Sequence, residues 1–130
     1  MTEASREARK QLRVVIADDS ALMRRHLKFV LSNIEGLVIC GVAENGAEAV
    51  QLVRELYPDV AVLDISMPYK SGIEVLREIR QDNHSTIIIM FTADRTPQLR
   101  EICFRAGANF FLDKGETAKL VEICKCLLAQ

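Results

Sequence analysis

The sequence predicts an open α/β sandwich, a single parallel sheet with helices on both faces. Three observations predict it. Short apolar runs rich in β-branched residues recur five times along the 130 residues. Between them lie segments whose apolar residues return at helical spacing. The runs are apolar without interruption, and a strand of that kind is covered on both faces, as in a sheet of parallel strands joined by helices.

The elements follow in order. Leu12 to Ala17 (LRVVIA) reads as the first strand, and it stops at Asp18-Asp19-Ser20. Asp and Ser there accept hydrogen bonds from the free N–H groups of a first helical turn. The first helix carries Leu22, Leu27, Val30, Leu31 and Ile34 and ends around Asn33 to Gly36. Leu37 to Ala43 is the second strand, broken by Asn45-Gly46, and Ala47 to Leu56 is the second helix, stopped by Tyr57-Pro58-Asp59. Val60 to Leu63 is the third strand, with Asp64 at its end and a loop from Ile65 to Gly72. Ile73 to Arg80 is a short helix, and Thr86 to Phe91 is the fourth strand, running into Thr92. Pro97 opens the fourth helix and Gly107 closes it, as Pro favours the first turn and Gly the C-cap. Asn109 to Asp113 is the fifth strand and Thr117 to Leu128 the last helix.

The bulk properties bound the function. A chain of 130 residues fits one domain, and hydrophobic residues at 49% with charged residues at 27% give a globular balance. The organisation expected is a polar lead-in over residues 1–11 and one domain over 12–130. The 17 basic and 18 acidic residues nearly cancel, which gives no footprint for direct nucleic-acid binding. No run approaches the ~20 apolar residues of a membrane span, so no membrane insertion is expected. The N-terminus lacks the apolar core of a secretory signal, and the expected location is cytoplasmic. Cys40, Cys103, Cys124 and Cys126 form no metal spacing with His26 or His84 and read as buried or half-buried reduced thiols. His26, among Arg24, Arg25 and Lys28, reads as solvated or partner-facing.

The chemistry comes from the strand ends. Open parallel sheets bind ligands outside the carboxyl ends of their strands. Asp18 and Asp19 end the first strand, Asp64 the third and Thr92 the fourth, while Lys114 follows the fifth. Three carboxylates at one edge repel each other unless a cation neutralises them, and all-oxygen ligands favour Mg²⁺ over Zn²⁺. Lys114 adds an ammonium for a phosphoryl oxygen and Thr92 a hydroxyl donor. Carboxylate, metal, ammonium and hydroxyl together make a phosphoryl-transfer site, with Asp64 as the nucleophile that forms an acyl phosphate.

These residues carry a family resemblance. VVIADDS, VAVLDISMP, Gly72 eight residues past Asp64, MFTA and FFLDK stand in order, each strand-end piece at its strand end. The chain resembles the receiver domain of two-component response regulators over residues ~12 to ~129. Its texture resembles receivers that elsewhere precede helix-turn-helix DNA-binding domains. The resemblance implies a flavodoxin-like (βα)5 fold with strand order 2-1-3-4-5. It implies a phosphoryl acceptor at Asp64, charged by a sensor histidine kinase, a phosphotransfer protein or a small phosphodonor. It implies that Asp19 ligates Mg²⁺ directly, Asp18 through water, and that Asp64 and the Ser66 backbone carbonyl complete the set. Thr92 and Phe111 would be the switch, altering the face of the fourth helix, fifth strand and fifth helix where a downstream protein docks or a homodimer forms. Ser66 and Asp94 would tune self-dephosphorylation.

Two departures stand out. The family often has a cis proline after the lysine, and here Gly115 follows Lys114. A non-proline cis bond costs ~3 kcal/mol, which favours trans and a loop that sits differently. Phe111 lacks the hydroxyl of a tyrosine. Only Ala129 and Gln130 follow the last helix, so either a lone receiver or a domain cut from a longer regulator is expected. A signalling domain, with no catalysis beyond its own phosphoryl transfer and dephosphorylation, fits better than two rivals. A Mg²⁺-dependent aspartyl-phosphate phosphatase usually carries D-x-D on its first strand, whereas Asp18 and Asp19 are adjacent. A receiver that binds partners without phosphorylation has no need of the full acceptor set.

Overall fold

A computed structural model describes residues 11–130. Most of the expected lead-in, residues 1–10, lies outside the described residues. Five strands alternate with five helices: β1 (Leu12–Ala17), α1 (Ala21–Ser32), β2 (Leu37–Ala43), α2 (Gly46–Leu56), β3 (Val60–Leu63), α3 (Gly72–Arg80), β4 (Ile87–Thr92), α4 (Pro97–Ala106), β5 (Phe110–Asp113) and α5 (Thr117–Leu128). All strand pairs are parallel and the order is β2-β1-β3-β4-β5. This is the open α/β sandwich that the alternation predicts, with the flavodoxin-like strand order that the family resemblance implies.

The period-two alternation of each strand sends its side chains to two separate cores. Val15, Ala17, Ala61, Leu63, Ile88 and Met90 face α2, α3 and α4. Val14, Ile16, Val60, Val62, Ile89 and Phe91 face α1 and α5. Every residue of β3 is buried, as the central strand of a doubly covered sheet must be.

The boundaries move by a residue where side chains compete for backbone groups. Thr86 lies before β4, not in it. Its N–H donates to Asn83 Oδ1 at 3.0 Å and its hydroxyl to the Pro58 carbonyl at 2.8 Å. Asn109 similarly precedes β5, with its side-chain oxygen accepting the Ile88 N–H at 2.8 Å. Helix starts are capped by local chemistry. Asn45 accepts the Glu48 N–H, and Ser71 forms a capping box with Glu74. These caps start α2 at Gly46 and α3 at Gly72, one residue before the apolar stripes begin.

Gly72 is required by a close approach. A Cβ on it would strike the Asp64 carbonyl, which is backbone and cannot yield. Its N–H donates to the Ile65 carbonyl at 2.8 Å, so α3 is pressed against the end of β3. The Gly72→Ala variant is expected to lose about 1–3 kcal/mol of stability through this overlap, measured by urea denaturation.

Cys103 and Cys124 are buried, Cys40 is half-buried, and Cys126 is exposed, a correction to the expectation of four sheltered thiols. Cys126 is exposed because α5 turns Leu120 and Cys124 inward and the position two residues on falls away from that face. Burial pushes the Cys124 thiol up to about 11 and raises the Cys103 thiol as well. Only the thiolate reacts. Native protein at pH 8 is therefore expected to label rapidly at Cys126, with Cys103 and Cys124 labelling only on unfolding. A timed thiol titration checks this, and Cys126→Ser removes the fast phase.

Candidate functional site

The site forms where β1 and β3, adjacent and parallel, end side by side. Ala17 pairs with Leu63, so the residues that follow, Asp18 and Asp64, leave the sheet together. Both are buried, at 1% and 4% exposure, whereas Asp19 is exposed. Backbone donors fix the two buried carboxylates. Ser20 N–H donates to Asp18 Oδ1 at 2.9 Å, and Ile65 N–H donates to Asp64 Oδ1 at 2.8 Å. Asp18 is thus part of the α1 entry turn as well as the acidic cluster. Ser20 itself caps α1 through the Met23 N–H.

The remaining oxygen of each buried carboxylate faces Lys114. Its Nζ lies 3.0 Å from Asp18 Oδ2 and 3.0 Å from Asp64 Oδ2. Burial by itself lowers an ammonium's affinity for its proton, but hydrogen bonds and charge from the two aspartates outweigh it, and Lys114 is held above its ordinary value. Burial raises Asp64, and the Asp18 charge adds to the rise despite the opposing hydrogen bond from Lys114. A carboxylate pair and one ammonium in a partly dry site leave net negative charge, which a further cation would neutralise.

Asp18, Asp19 and Asp64 each offer an oxygen within 4.8 Å of the others. Oxygens on opposite sides of a Mg²⁺ octahedron are ~4.2 Å apart, twice the metal–oxygen distance. Adjacent oxygens lie closer still, so the three carboxylates would draw together around the ion, and they are the hard donors that Mg²⁺ takes. Bound there, the ion would neutralise the carboxylates and draw charge from a phosphoryl oxygen.

The other expected residues lie around this centre. Thr92 ends β4, buried at 2% exposure. Its Oγ1 accepts the Asp94 N–H at 3.3 Å, and its carbonyl accepts the Lys114 N–H at 3.0 Å. That second bond joins the threonine and the lysine through backbone. Ser66 and Asp94 are exposed on the loops after β3 and β4. Phe111 is buried at 8% exposure on the α2, α3 and α4 side of the sheet.

Two features escape a reading of strand ends alone. Arg24, on α1, donates to the Asp18 carbonyl at 2.9 Å and to Glu44 Oε1 at 2.9 Å, which ties the end of β1 to the end of β2. Nothing in the spacing of Arg24 and Glu44 announces this contact. The second is the loop after Lys114. No cis peptide bond occurs among the described residues, and the Gly115 N–H donates to Asp113 Oδ1 at 2.8 Å. Glu116 completes the turn, accepting the Asp113 N–H at 3.0 Å, and this bond is the main reason its carboxyl sits below its ordinary value. The signal for that turn is in the sequence, since Asp113 and Glu116 have capping-box spacing.

A family model for the response regulator receiver domain matches residues 14–125. The chain belongs to that family. The chemotaxis protein CheY of Thermotoga maritima is 37% identical over 111 residues, covering 85% of this chain and 92% of that protein. A LuxR-family two-component response regulator from an Aurantimonas species superposes with a TM-score of 0.85 at 30% identity, over 92% of this chain and 86% of that one. A structure of the CheX–CheY–BeF3–Mg²⁺ complex from Borrelia burgdorferi gives a TM-score of 0.84 at 30% identity, over 92% of this chain and 90% of that one. The chain spans 35% to 56% of the length of several other curated relatives. Among the described residues, no helix of this receiver domain is long and apolar enough to cross a membrane.

Removing the Lys114 charge isolates its role between the carboxylates. Lys114→Met is expected to cost about 2 kcal/mol without Mg²⁺, below the ~3–5 kcal/mol for breaking a fully buried pair because the lysine is 21% exposed. Added Mg²⁺ should then stabilise the variant more than the wild type, since no ammonium competes for Asp18 and Asp64. Urea denaturation with and without Mg²⁺ measures both effects.

Proposed function

We propose that this receiver domain is a phosphoryl-accepting switch, with Asp64 as the acceptor. The observation that carries the reading is Lys114 Nζ at 3.0 Å from both Asp18 and Asp64, with Asp19 completing an oxygen cluster beside them. An ammonium placed against an acidic cluster at strand ends can hold a phosphoryl oxygen as the carboxylate attacks. The Borrelia burgdorferi structure, solved with BeF3 and Mg²⁺, supports the same use of this pocket.

One Asp64 oxygen attacks the phosphorus of the donor, and the bond from phosphorus to the leaving group breaks with its electron pair going to that group. The donor is a phosphohistidine of a sensor kinase or phosphotransfer protein, or a small acyl phosphate. Lys114 stays charged throughout and exchanges its contact with Asp64 for one with a phosphoryl oxygen. Mg²⁺, held by Asp18, Asp19, Asp64 and the Ser66 carbonyl, would supply the remaining charge neutralisation. Thr92, whose hydroxyl proton is free while its oxygen accepts from Asp94, donates to the phosphoryl group. Its displacement lets Phe111 repack and alters the face of α4, β5 and α5, where a downstream protein docks or a second copy pairs. Water then attacks the phosphorus, Asp64 leaves as the carboxylate, and Ser66 and Asp94 at the mouth set the rate. The reaction is the domain's own phosphorylation and dephosphorylation, in keeping with a cytoplasmic signalling role.

The test is direct. With Mg²⁺ and acetyl phosphate, the intact mass should rise by one phosphoryl group. The gain should vanish in Asp64→Ala and when Mg²⁺ is chelated. Mass that persists in Asp64→Ala would refute the assignment of the acceptor.

A further inference from the structure

The loop that carries Lys114 is organised by Asp113, the last residue of β5. The two carboxylate oxygens of Asp113 face different partners. Oδ1 accepts the Gly115 N–H at 2.8 Å, across Lys114, and Oδ2 lies 3.5 Å from Arg95 Nε. The backbone of Asp113 is held too, its N–H by Glu116 Oε1 and its carbonyl by the Glu116 N–H at 2.8 Å. Lys114 itself is anchored by its N–H on the Thr92 carbonyl. Every backbone link next to Lys114 therefore passes through Asp113 or Thr92.

Gly115 suits this turn for two reasons. It supplies an N–H that a proline lacks. It also has no Cβ, which would lie 2.9 Å from Asp113 Oδ1. A side-chain hydrogen bond thus does the work of a rigid ring. Arg95 sits three residues past Thr92, on a loop where Asp94 bonds Thr92 Oγ1 and caps the Thr96 N–H at 3.1 Å. With its side chain 74% exposed, Arg95 adds little static stability, yet it is the side chain that joins the Thr92 loop to the Lys114 loop.

We propose that Asp113 is a positioning residue for Lys114: its carboxylate fixes the Lys114 backbone and, through Arg95, couples that hold to the loop bearing Thr92. The proposal rests on Asp64 as the phosphoryl acceptor and adds the group that aims the ammonium. A lysine stem is long and has several rotatable bonds, so its reach alone does not place Nζ between two carboxylates. A misplacement of about 1 Å can cost up to ~100-fold in rate.

The experiment uses the whole chain with Asp113→Ala, Asp113→Asn and Arg95→Ala. Asparagine keeps an oxygen for the Gly115 N–H but no charge for Arg95. Three quantities are read: hydrogen exchange at the Gly115 amide, Mg²⁺ affinity, and the rate of phosphoryl uptake from acetyl phosphate at saturating Mg²⁺. In Asp113→Ala, Gly115 exchange should quicken about tenfold and maximal uptake should fall about tenfold, the middle of the range for lost orientation. Mg²⁺ should bind more tightly, because a loosened Lys114 competes less for Asp18 and Asp64. Asp113→Asn should keep Gly115 exchange close to wild type and lower uptake only about as much as Arg95→Ala does. Arg95→Ala should leave Gly115 exchange unchanged and lower uptake by less than Asp113→Ala does. If Asp113→Ala lowers only the urea midpoint, with Mg²⁺ affinity and uptake unchanged, Asp113 is merely structural and the proposal is overturned. An Arg95→Ala protein identical to wild type overturns the coupling to Thr92. Wild type that takes up no phosphoryl group overturns the acceptor reading, and the exchange and Mg²⁺ measurements then decide the positioning role alone.

Discussion

One ammonium between two buried carboxylates is the interaction on which this site depends. Asp18 and Asp64 end neighbouring strands and are almost wholly removed from water. Without a cation, their repulsion at such a spacing would disfavour charge on both. Lys114 opposes this from the far edge of the sheet, at 3.0 Å from each. The charge that remains, with Asp19 at the rim, makes the pocket a place for a divalent cation. The same electrostatic debt explains why burial of two acids is tolerated at all.

The fold meets this constraint by fixing backbone before side chain. Parallel pairing brings Ala17 and Leu63 into register, so the two acids emerge together. Gly72 lets α3 press on the end of β3, and Arg24 ties the turn after β1 to Glu44 after β2. On the other side the Lys114 N–H on the Thr92 carbonyl links the last two strands of the sheet. Each bond is ordinary in strength, worth about 1 kcal/mol net. Their effect lies in converging on one edge, where small displacements would separate Nζ from its partners.

At Gly115 a hydrogen-bonded turn with a trans peptide bond stands where the family often has a proline. A proline restricts a loop by covalent closure, whereas here Asp113 and Glu116 restrict it by hydrogen bonds to main-chain N–H groups. Such a turn can be loosened by charge or by movement of Arg95, which a ring cannot. The lysine loop is in this way exposed to events at the Thr92 loop beside it.

The sequence by itself determined the layer architecture and the identity of the central residues. Uninterrupted, β-branched apolar runs such as VAVL read as strands covered on both faces, and helical stripes between them point to a parallel sheet. Asp18, Asp19, Asp64, Thr92 and Lys114 were legible because strand ends are where such a sheet places its ligands. The run FFLD does not say which of the two cores Phe111 joins, because that choice follows from strand register. Tertiary structure alone decided that Asp18 is buried while Asp19 is exposed, that Lys114 divides itself between two acids, and that Arg24 and Glu44 meet. The reason is physical. Periodicity reports which face of an element is apolar, but contacts between residues 96 or 50 positions apart, such as Asp18 or Asp64 with Lys114, depend on register and loop course, and no local pattern in the chain carries those.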